Sequence, residues 1–325
     1  MSAAKTVLLL THSGDFYVPD IVIEALAKRG ANGIRINTDL FPSASQLAVS
    51  SDADGLRALF STASDEVDLM RVAGIWCRRL WTGDQTDVHP TFAGACAAQA
   101  RDAMNGVLAL LEESIPVINR PVPQRRAEHK VLQLRAAQAA KLTLPPTLIT
   151  NDPAAVRAFA ETHENIVTKM LVPLSQTMEG TGPFVYTSAV DAGDLAQIDS
   201  VRSAPMIFQA RVKKAREVRA MVVGKKVFSA SIDADSLDWR VPLGVEPLQW
   251  REEKLPRAIR ASCVRLVESM GLVTGALDFL IDSDNKFLFL EINPAGEWGW
   301  LERDLGFPIS DAIADELLRR RRGFA

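Results

Sequence analysis

The sequence predicts a mixed α/β (α+β) fold in three units, and three observations predict it. Strand-like and helix-like segments alternate from residue 1 to about 120, the pattern of a parallel α/β layer. A proline-rich joint, NRPVPQRR, follows at 119–126, where a boundary is expected. The chain then closes on two apolar strands, GALDFLID and KFLFLEIN, that carry acids among their hydrophobic residues.

In chain order, KTVLLLTHSGD reads as a short buried strand, and VPDIVIEALAKRG has helical spacing with a glycine stop. NGIRINTD and AGIWCRR return as strands, TFAGACAAQARDAMNGVLALLEE is a long helix, and PVINR closes the unit. After the joint come a helix (RAEHKVLQLRAAQAA), a strand (PTLIT), a helix (DPAAVRAFAETHE) and a strand (NIVTKML). PLSQTMEGTGPFVYTSAV reads as a glycine-containing loop, and MIFQARV opens a third region. EVRAMVVGKKVFSASI gives two strands about a GKK turn, and KLPRAIRASCVRLVESMG a helix. The expected units are 1–120, 121–208 and 209–325.

Bulk properties exclude several classes. The chain has 325 residues, 47% hydrophobic, enough for a substantial core. A formal net charge of -3 gives no global field for nucleic acid. Of the two basic runs, RVKKAREVR and the terminal RRRR, the second reads as a helix end, with Ser310 as the N-cap of PISDAIADELLRRRR. Cys77, Cys96 and Cys263 form no CxxC and have no zinc-spaced histidines, so reduced thiols are expected. MSAAKTVLLLTHSGD has too short an apolar run for a signal peptide or a membrane span. The expectation is a soluble, cytoplasmic protein without nucleic-acid or membrane partners.

The closing strands carry the chemistry. SDNK at 283–286 reads as a two-residue hairpin turn. That register pairs Asp282 with Phe287 and sets Asp278 opposite Glu291. Side-chain alternation puts Glu291 and Asn293 on one face, and Asp278 joins them across the pair. Facing carboxylates repel unless something positive lies between them. Oxygen donors from Asp278, Glu291 and Asn293 suit Mg²⁺, usually completed by phosphate oxygens and water. The alternative is a surface hairpin with solvated acids, which the apolar flanks on both faces disfavour.

Mg²⁺ held this way implies a nucleotide, yet neither GxGxxG after the first strand nor a Walker A sequence occurs. Lys169 in the apolar strand NIVTKML must snorkel or meet an anion. Lys130 follows the proline joint, Arg219 lies in EVRAMVV and Arg240 follows Trp239. Each alone reads more readily as a salt-bridged or solvated cation than as a ligand, and their order relative to the acidic hairpin changes that.

In this order, two lysines, a glycine-bearing loop, a hinge strand, an arginine strand and Asp…Glu-x-Asn resemble the ATP-grasp fold. GALDFLID with FLEINPAGEWGWLE, THSGDFYVPDIVIEAL…INTDLFP and IWCRRL resemble the microviridin-type peptide ligases, or graspetide synthetases, over nearly the whole chain. The resemblance implies an N-terminal parallel α/β pre-ATP-grasp domain, a central lid domain and a C-terminal metal-binding domain. It places Lys130 and Lys169 at the ATP phosphates, and Gln209, Ala210 and Val212 of MIFQARV along the adenine hinge. Asp278, Glu291 and Asn293 match Mg²⁺ ligands; Arg219 and Arg240 match arginines near the γ-phosphate and the acidic substrate side chain. Two positions depart from the family: Ala210 stands where many relatives carry an acid, and Glu297 where Gln is more usual.

The implied activity is ATP-dependent activation of Asp or Glu side chains of a ribosomal precursor peptide (leader plus acidic core) as acyl phosphates. Ser, Thr or Lys side chains of that peptide then close ester or amide macrocycles. The cofactors implied are ATP and Mg²⁺, and the assembly a homodimer. Such chemistry needs charge neutralisation more than a strong base, and His12, His89, His129 and His163 form no convincing triad. Trp298 and Trp300 are expected to pack the metal hairpin or line a peptide cleft, with core packing favoured for at least one. Arg78 and Arg79 are expected either to meet acidic peptide residues or to form a structural ion pair. The rival readings are a small-molecule carboxylate–amine ligase of the RimK or glutathione-synthetase kind, and a non-catalytic ATP-binding regulator.

Overall fold

The computed structural model describes residues 5–80, 88–172, 187–233, 237 and 249–319. Trp239, Arg240, the EGTGP loop at 179–183 and the arginines at 320–322 lie outside the described residues.

The first unit runs β1 (Lys5–Thr11), α1 (Val18–Ala27), β2 (Ala31–Asn37), β3 (Gln46–Asp52), β4 (Gly55–Ser61), β5 (Glu66–Asp68), β6 (Gly74–Cys77), α2 (Pro90–Glu112) and β7 (Val117–Ile118). Its main sheet is parallel, in the order β2-β1-β6-β7. The apolar run VLLL is buried because this sheet is covered on both faces. The small antiparallel sheet β3-β4-β5 was not expected from the sequence. Its signal is an Asp-Gly turn between alternating segments, with Gly55 at φ +120°, where a side chain would be strained.

After the joint come α3 (Pro121–Glu128), α4 (Lys130–Ala139), β8 (Thr147–Thr150), α5 (Pro153–Thr162), β9 (Ile166–Lys169), β10 (Ser188–Ala189), α6 (Ala192–Ala196) and β11 (Met206–Ala210). The single expected helix after the joint is two: His129 adopts extended backbone (φ −70°, ψ 112°) between them. The joint itself is helical, because Pro121 at the first turn is pre-set for helix and lacks only an N–H that would have no partner there. Strands β10-β9-β11-β8 form an antiparallel sheet. That sheet therefore runs through Ala210, across the expected 208/209 boundary.

The last region holds β12 (Lys214–Val223), β13 (Lys226–Ile232), β14 (Arg251–Glu252), α7 (Arg257–Ser269), β15 (Thr274–Asp282), β16 (Phe287–Asn293), α8 (Gly299–Leu305) and α9 (Ile309–Leu317). Its antiparallel sheet has the order β14-β13-β12-β15-β16. One face packs on α4 and α7; the other shares a core with β1, α1, β6, α8 and α9. Trp298 is buried in that shared core, 6.5 Å from Trp76, whereas Trp300 stacks on Trp250. The glycine between these tryptophans is required by α1: a Cβ on Gly299 would lie 2.5 Å from Val18 Cγ2. Ser310 is not the N-cap expected for the last helix. The helix starts at Ile309, and the Ser310 hydroxyl instead donates to Glu302 Oε1 at 2.6 Å.

The three cysteines are unpaired. Burial pushes the Cys263 thiol up to about 12 and the Cys77 thiol higher still, which suppresses the reactive thiolate. Iodoacetamide at pH 8 is therefore expected to label Cys96, half-buried on α2, while Cys77 and Cys263 react only in denaturant. Peptide mass mapping reads this directly.

Candidate active site

Strand pairing assembles the site. Asp278 in β15 lies between Arg219 of β12 and Glu291 of β16. The route to that pairing differs from the simple hairpin register. Phe287 pairs with Ile281 rather than Asp282, and a bulge between Phe289 and Glu291 restores Asp278 opposite Glu291. The slip arises at the turn. Asp282 Oδ1 accepts from the N–H groups of Asp284 and Lys286, both at 2.9 Å, and Asn285 sits at φ +58°. The turn therefore takes one residue more than a two-residue connection.

The acids are neutralised from two sides. Arg219 Nη1 donates to both Asp278 carboxylate oxygens, at 3.0 and 3.2 Å. Lys130 Nζ donates to Glu291 Oε2 at 2.6 Å from the first residue of α4. Between them the Asn293 amide donates to Asp278 Oδ2 and Glu291 Oε1, each at 3.2 Å. Burial by itself would raise the Glu291 carboxyl. The charges of Lys130 and Lys169 and the hydrogen bonds from Lys130 and Asn293 outweigh it and hold the carboxyl well below its ordinary value. Lys169, at the end of β9, thus acts on the same carboxylate from the central sheet.

This donor set fits a hard divalent cation. Asp278, Glu291 and Asn293 converge, and a half-turn of the Asn293 amide presents Oδ1 beside the two carboxylates. Among the described residues no group of three His, Cys, Asp or Glu side chains could hold a metal, so the candidate set consists of two carboxylates and one amide. Arg219 is buried, and its Nε lacks a hydrogen-bond partner among the described residues. A guanidinium desolvated this far has donor capacity left for an anion.

The expected hinge residues lie at the end of β11 and just beyond it. Gln209 is buried and donates to Thr147 Oγ1 at 2.9 Å, so its side chain faces the central sheet. The Ala210 N–H donates to Pro146 O at 2.9 Å, and Val212 follows the strand, half-buried.

Sequence reasoning missed the groups that hold this arrangement. Gln133, three residues after Lys130 and so on the same helical face, is buried against edge strand β16. Its Nε2 donates to Ile292 O at 2.8 Å and its Oε1 accepts from Ile292 N at 3.2 Å, between Glu291 and Asn293. Asn119 donates to Thr274 O, Thr274 Oγ1 and Pro294 O, and accepts from the N–H groups of Val273 and Thr274. Gly296 passes so close to Arg219 that a Cβ there would lie 2.7 Å from Arg219 Nη2. Beyond it, Glu297 accepts from Arg78 Nη2 at 2.7 Å and from Arg79. Arg78 is also paired bidentately with buried Asp15. The i,i+3 spacing of Lys130 and Gln133 was a usable signal; Asn119 had none.

Comparison with known proteins places this geometry. The sequence model of the MvdD pre-ATP grasp domain matches residues 6–123, and that of the RimK-like ATP-grasp domain residues 126–317. No curated protein sequence matches the chain. Among solved structures, macrocyclase MdnB from Microcystis aeruginosa MRC is 36% identical, with TM-score 0.83, over 97% of this chain and 99% of that one. Macrocyclase MdnC from the same organism, bound with precursor peptide MdnA, is 33% identical, with TM-score 0.86, over 96% and 99%. A Chryseobacterium gregarium RiPP-associated ATP-grasp ligase, in complex with ADP and a leader and core peptide, is 27% identical, with TM-score 0.87, over 99% of each chain. A pre-ATP-grasp domain joined to an ATP-grasp domain, with full-length likeness to two macrocyclases, establishes that the chain belongs to the ATP-grasp ligases of the microviridin-type macrocyclase family.

Proposed function

We propose that this ATP-dependent ligase activates Asp or Glu side chains of a ribosomally made precursor peptide as acyl phosphates and closes ester or amide macrocycles with Ser, Thr or Lys side chains. The observation that carries this reading is the cluster of Asp278, Glu291 and Asn293 flanked by Lys130, Lys169 and Arg219. Mg²⁺ held by Asp278, Glu291 and Asn293 supplies charge neutralisation to a triphosphate. Lys130 and Lys169 orient phosphate oxygens beside Glu291. Arg219 steers the acceptor carboxylate, which otherwise repels the triphosphate. Arg240 is proposed to share that task, and the backbone of Gln209, Ala210 and Val212 to border the adenine.

Around this centre, the first unit serves as the pre-ATP-grasp part, the central unit, whose sheet runs on through Ala210, as the lid, and the last unit as the metal-binding part. The leader of the peptide is a partner, and a homodimer in the cytoplasm is the working assembly, supported by the family likeness and by unpaired cysteines. Among the described residues no helix is long and apolar enough to cross a membrane.

The test is co-expression with an acidic peptide that also contains Ser, Thr or Lys, followed by intact mass. Loss of one or more waters, dependent on MgATP and abolished by EDTA, is the expected result. ATP consumption with small amines and no peptide would instead favour the small-molecule ligase. Gln133→Met, which strips the Ile292 backbone of both partners, is expected to raise half-saturating Mg²⁺ at least about ten-fold. The KM for peptide should change far less, and a Mg²⁺ titration of initial rates reads the difference.

A further inference from the structure

The parallel sheet of the first unit has a topological switch point between β1 and β6. From β1 the chain passes through α1 to β2 on one side, then reaches β6 on the other. Connections leaving in opposite directions open a crevice at the C-terminal ends of β1 and β6, where ligands of open α/β sheets bind. The residues that follow those strand ends are His12, Asp15, Arg78 and Arg79. Arg78 is almost fully buried and spends two donors on buried Asp15. Arg78 and Arg79 also share an ion pair with the carboxylate of Glu297, which arrives from the loop after β16 and is 46% exposed. Arg79 Nη1 also lies 3.1 Å from His12 Nε2. Phe16, 82% exposed, and Tyr17 stand on the same loop as Asp15.

We infer that this crevice is a carboxylate-binding subsite for the acidic part of the peptide, held in the free chain by Glu297 as an internal stand-in; the inference rests on the peptide-ligase reading above. Two guanidiniums converging on one carboxylate match a peptide Asp or Glu side chain as well as they match Glu297. Exchange of one carboxylate for another leaves the charge balance of the crevice unchanged. Glu297 is the member able to leave, because it is half exposed while Arg78 and Asp15 are buried and paired with each other. Exposed Phe16 gives the arriving peptide apolar surface to cover. The crevice adjoins the catalytic cluster through Gly296, where a Cβ would lie 2.7 Å from Arg219 Nη2. A peptide acid docked there would place a neighbouring acid near Asp278.

The test is fluorescence anisotropy, without nucleotide, of a labelled, end-blocked peptide rich in Glu and lacking Ser, Thr and Lys. The full chain with Glu297→Ala is expected to bind it about ten-fold tighter than wild type, since the internal competitor is gone. Arg79→Ala in that background should abolish the gain. Glu24→Ala, an equal change in net charge at an exposed position on α1, should leave affinity unchanged. Equal or weaker binding by Glu297→Ala, or a gain that survives Arg79→Ala, overturns the subsite and makes the clasp purely structural. If Glu297→Ala does not fold by circular dichroism, Glu297→Gln keeps the size of the side chain and carries the same expectation at about three-fold. The water-loss assay reports the ligase reading separately, so a wild-type chain that cyclises peptide while Glu297→Ala shows no gain removes only the subsite.

Discussion

Glu291→Ala is expected to abolish water loss from the co-expressed peptide and to lower kcat/KM by at least about 10³, or roughly 4 kcal/mol of transition-state stabilisation. Two effects combine. The proposed cation site loses one of its two carboxylates, and the largely buried Lys130 side chain loses the anion that orients it. Glu291→Gln separates them, because it keeps the size and the contact with Asn293 while removing the charge. Retained folding with lost turnover in both variants would assign the effect to charge; full turnover in Glu291→Gln would remove Glu291 from the metal set. The pH dependence carries a sign. The folded carboxyl lies below its ordinary value of 4.5, so the ionised form stabilises the fold above that value, and the contribution fades as pH falls toward the depressed one. Wild type should therefore lose more stability than Glu291→Gln on acidification below about pH 4.5, which urea midpoints across that range would show.

Asn119→Ala is expected to cost about 3 kcal/mol in urea unfolding, the largest loss for removal of an uncharged polar side chain among the residues discussed here. The deletion leaves the half-buried N–H of Val273 and the buried N–H of Thr274 without these partners and releases the Pro294 carbonyl. Because Pro294 follows Asn293, turnover should fall further than the lost stability explains when rates are taken well below the unfolding midpoint. Asn119→Asp keeps the two accepted hydrogen bonds but presents an anion to two carbonyls, so it should not rescue. Wild-type stability in Asn119→Ala would show that water replaces the side chain there.

Much of the site was legible because its signals are local. Alternation along a strand put Glu291 and Asn293 on one face, and a polar turn between two apolar strands brought Asp278 to them. The agreement was partly fortuitous in route, since the turn is one residue longer than expected and the bulge in β16 compensates. A period-2 pattern states which face a residue takes but not where a strand slips. The helix after the joint was read as continuous because helical spacing survives a single extended residue at His129. The sheet β3-β4-β5 carries one local signal, its Asp-Gly turn, and its largely exposed strands lack the apolar runs that mark the buried ones.

By itself the sequence determined the alternation of the first unit, the acidic closing strands and the order of lysines and arginines before them. These are properties of neighbouring residues, set by backbone period and side-chain chemistry. Only the tertiary structure decided that α4 would bring Lys130 to Glu291 and Gln133 to Ile292, that Asn119 would tie the start of β15 to Pro294, and that Glu297 would close on Arg78 and Arg79. Those contacts join segments more than a hundred residues apart. Burial forces Asn119, Gln133 and Arg78 to find partners, and the partner is chosen by how the sheets and helices pack rather than by anything adjacent in the chain.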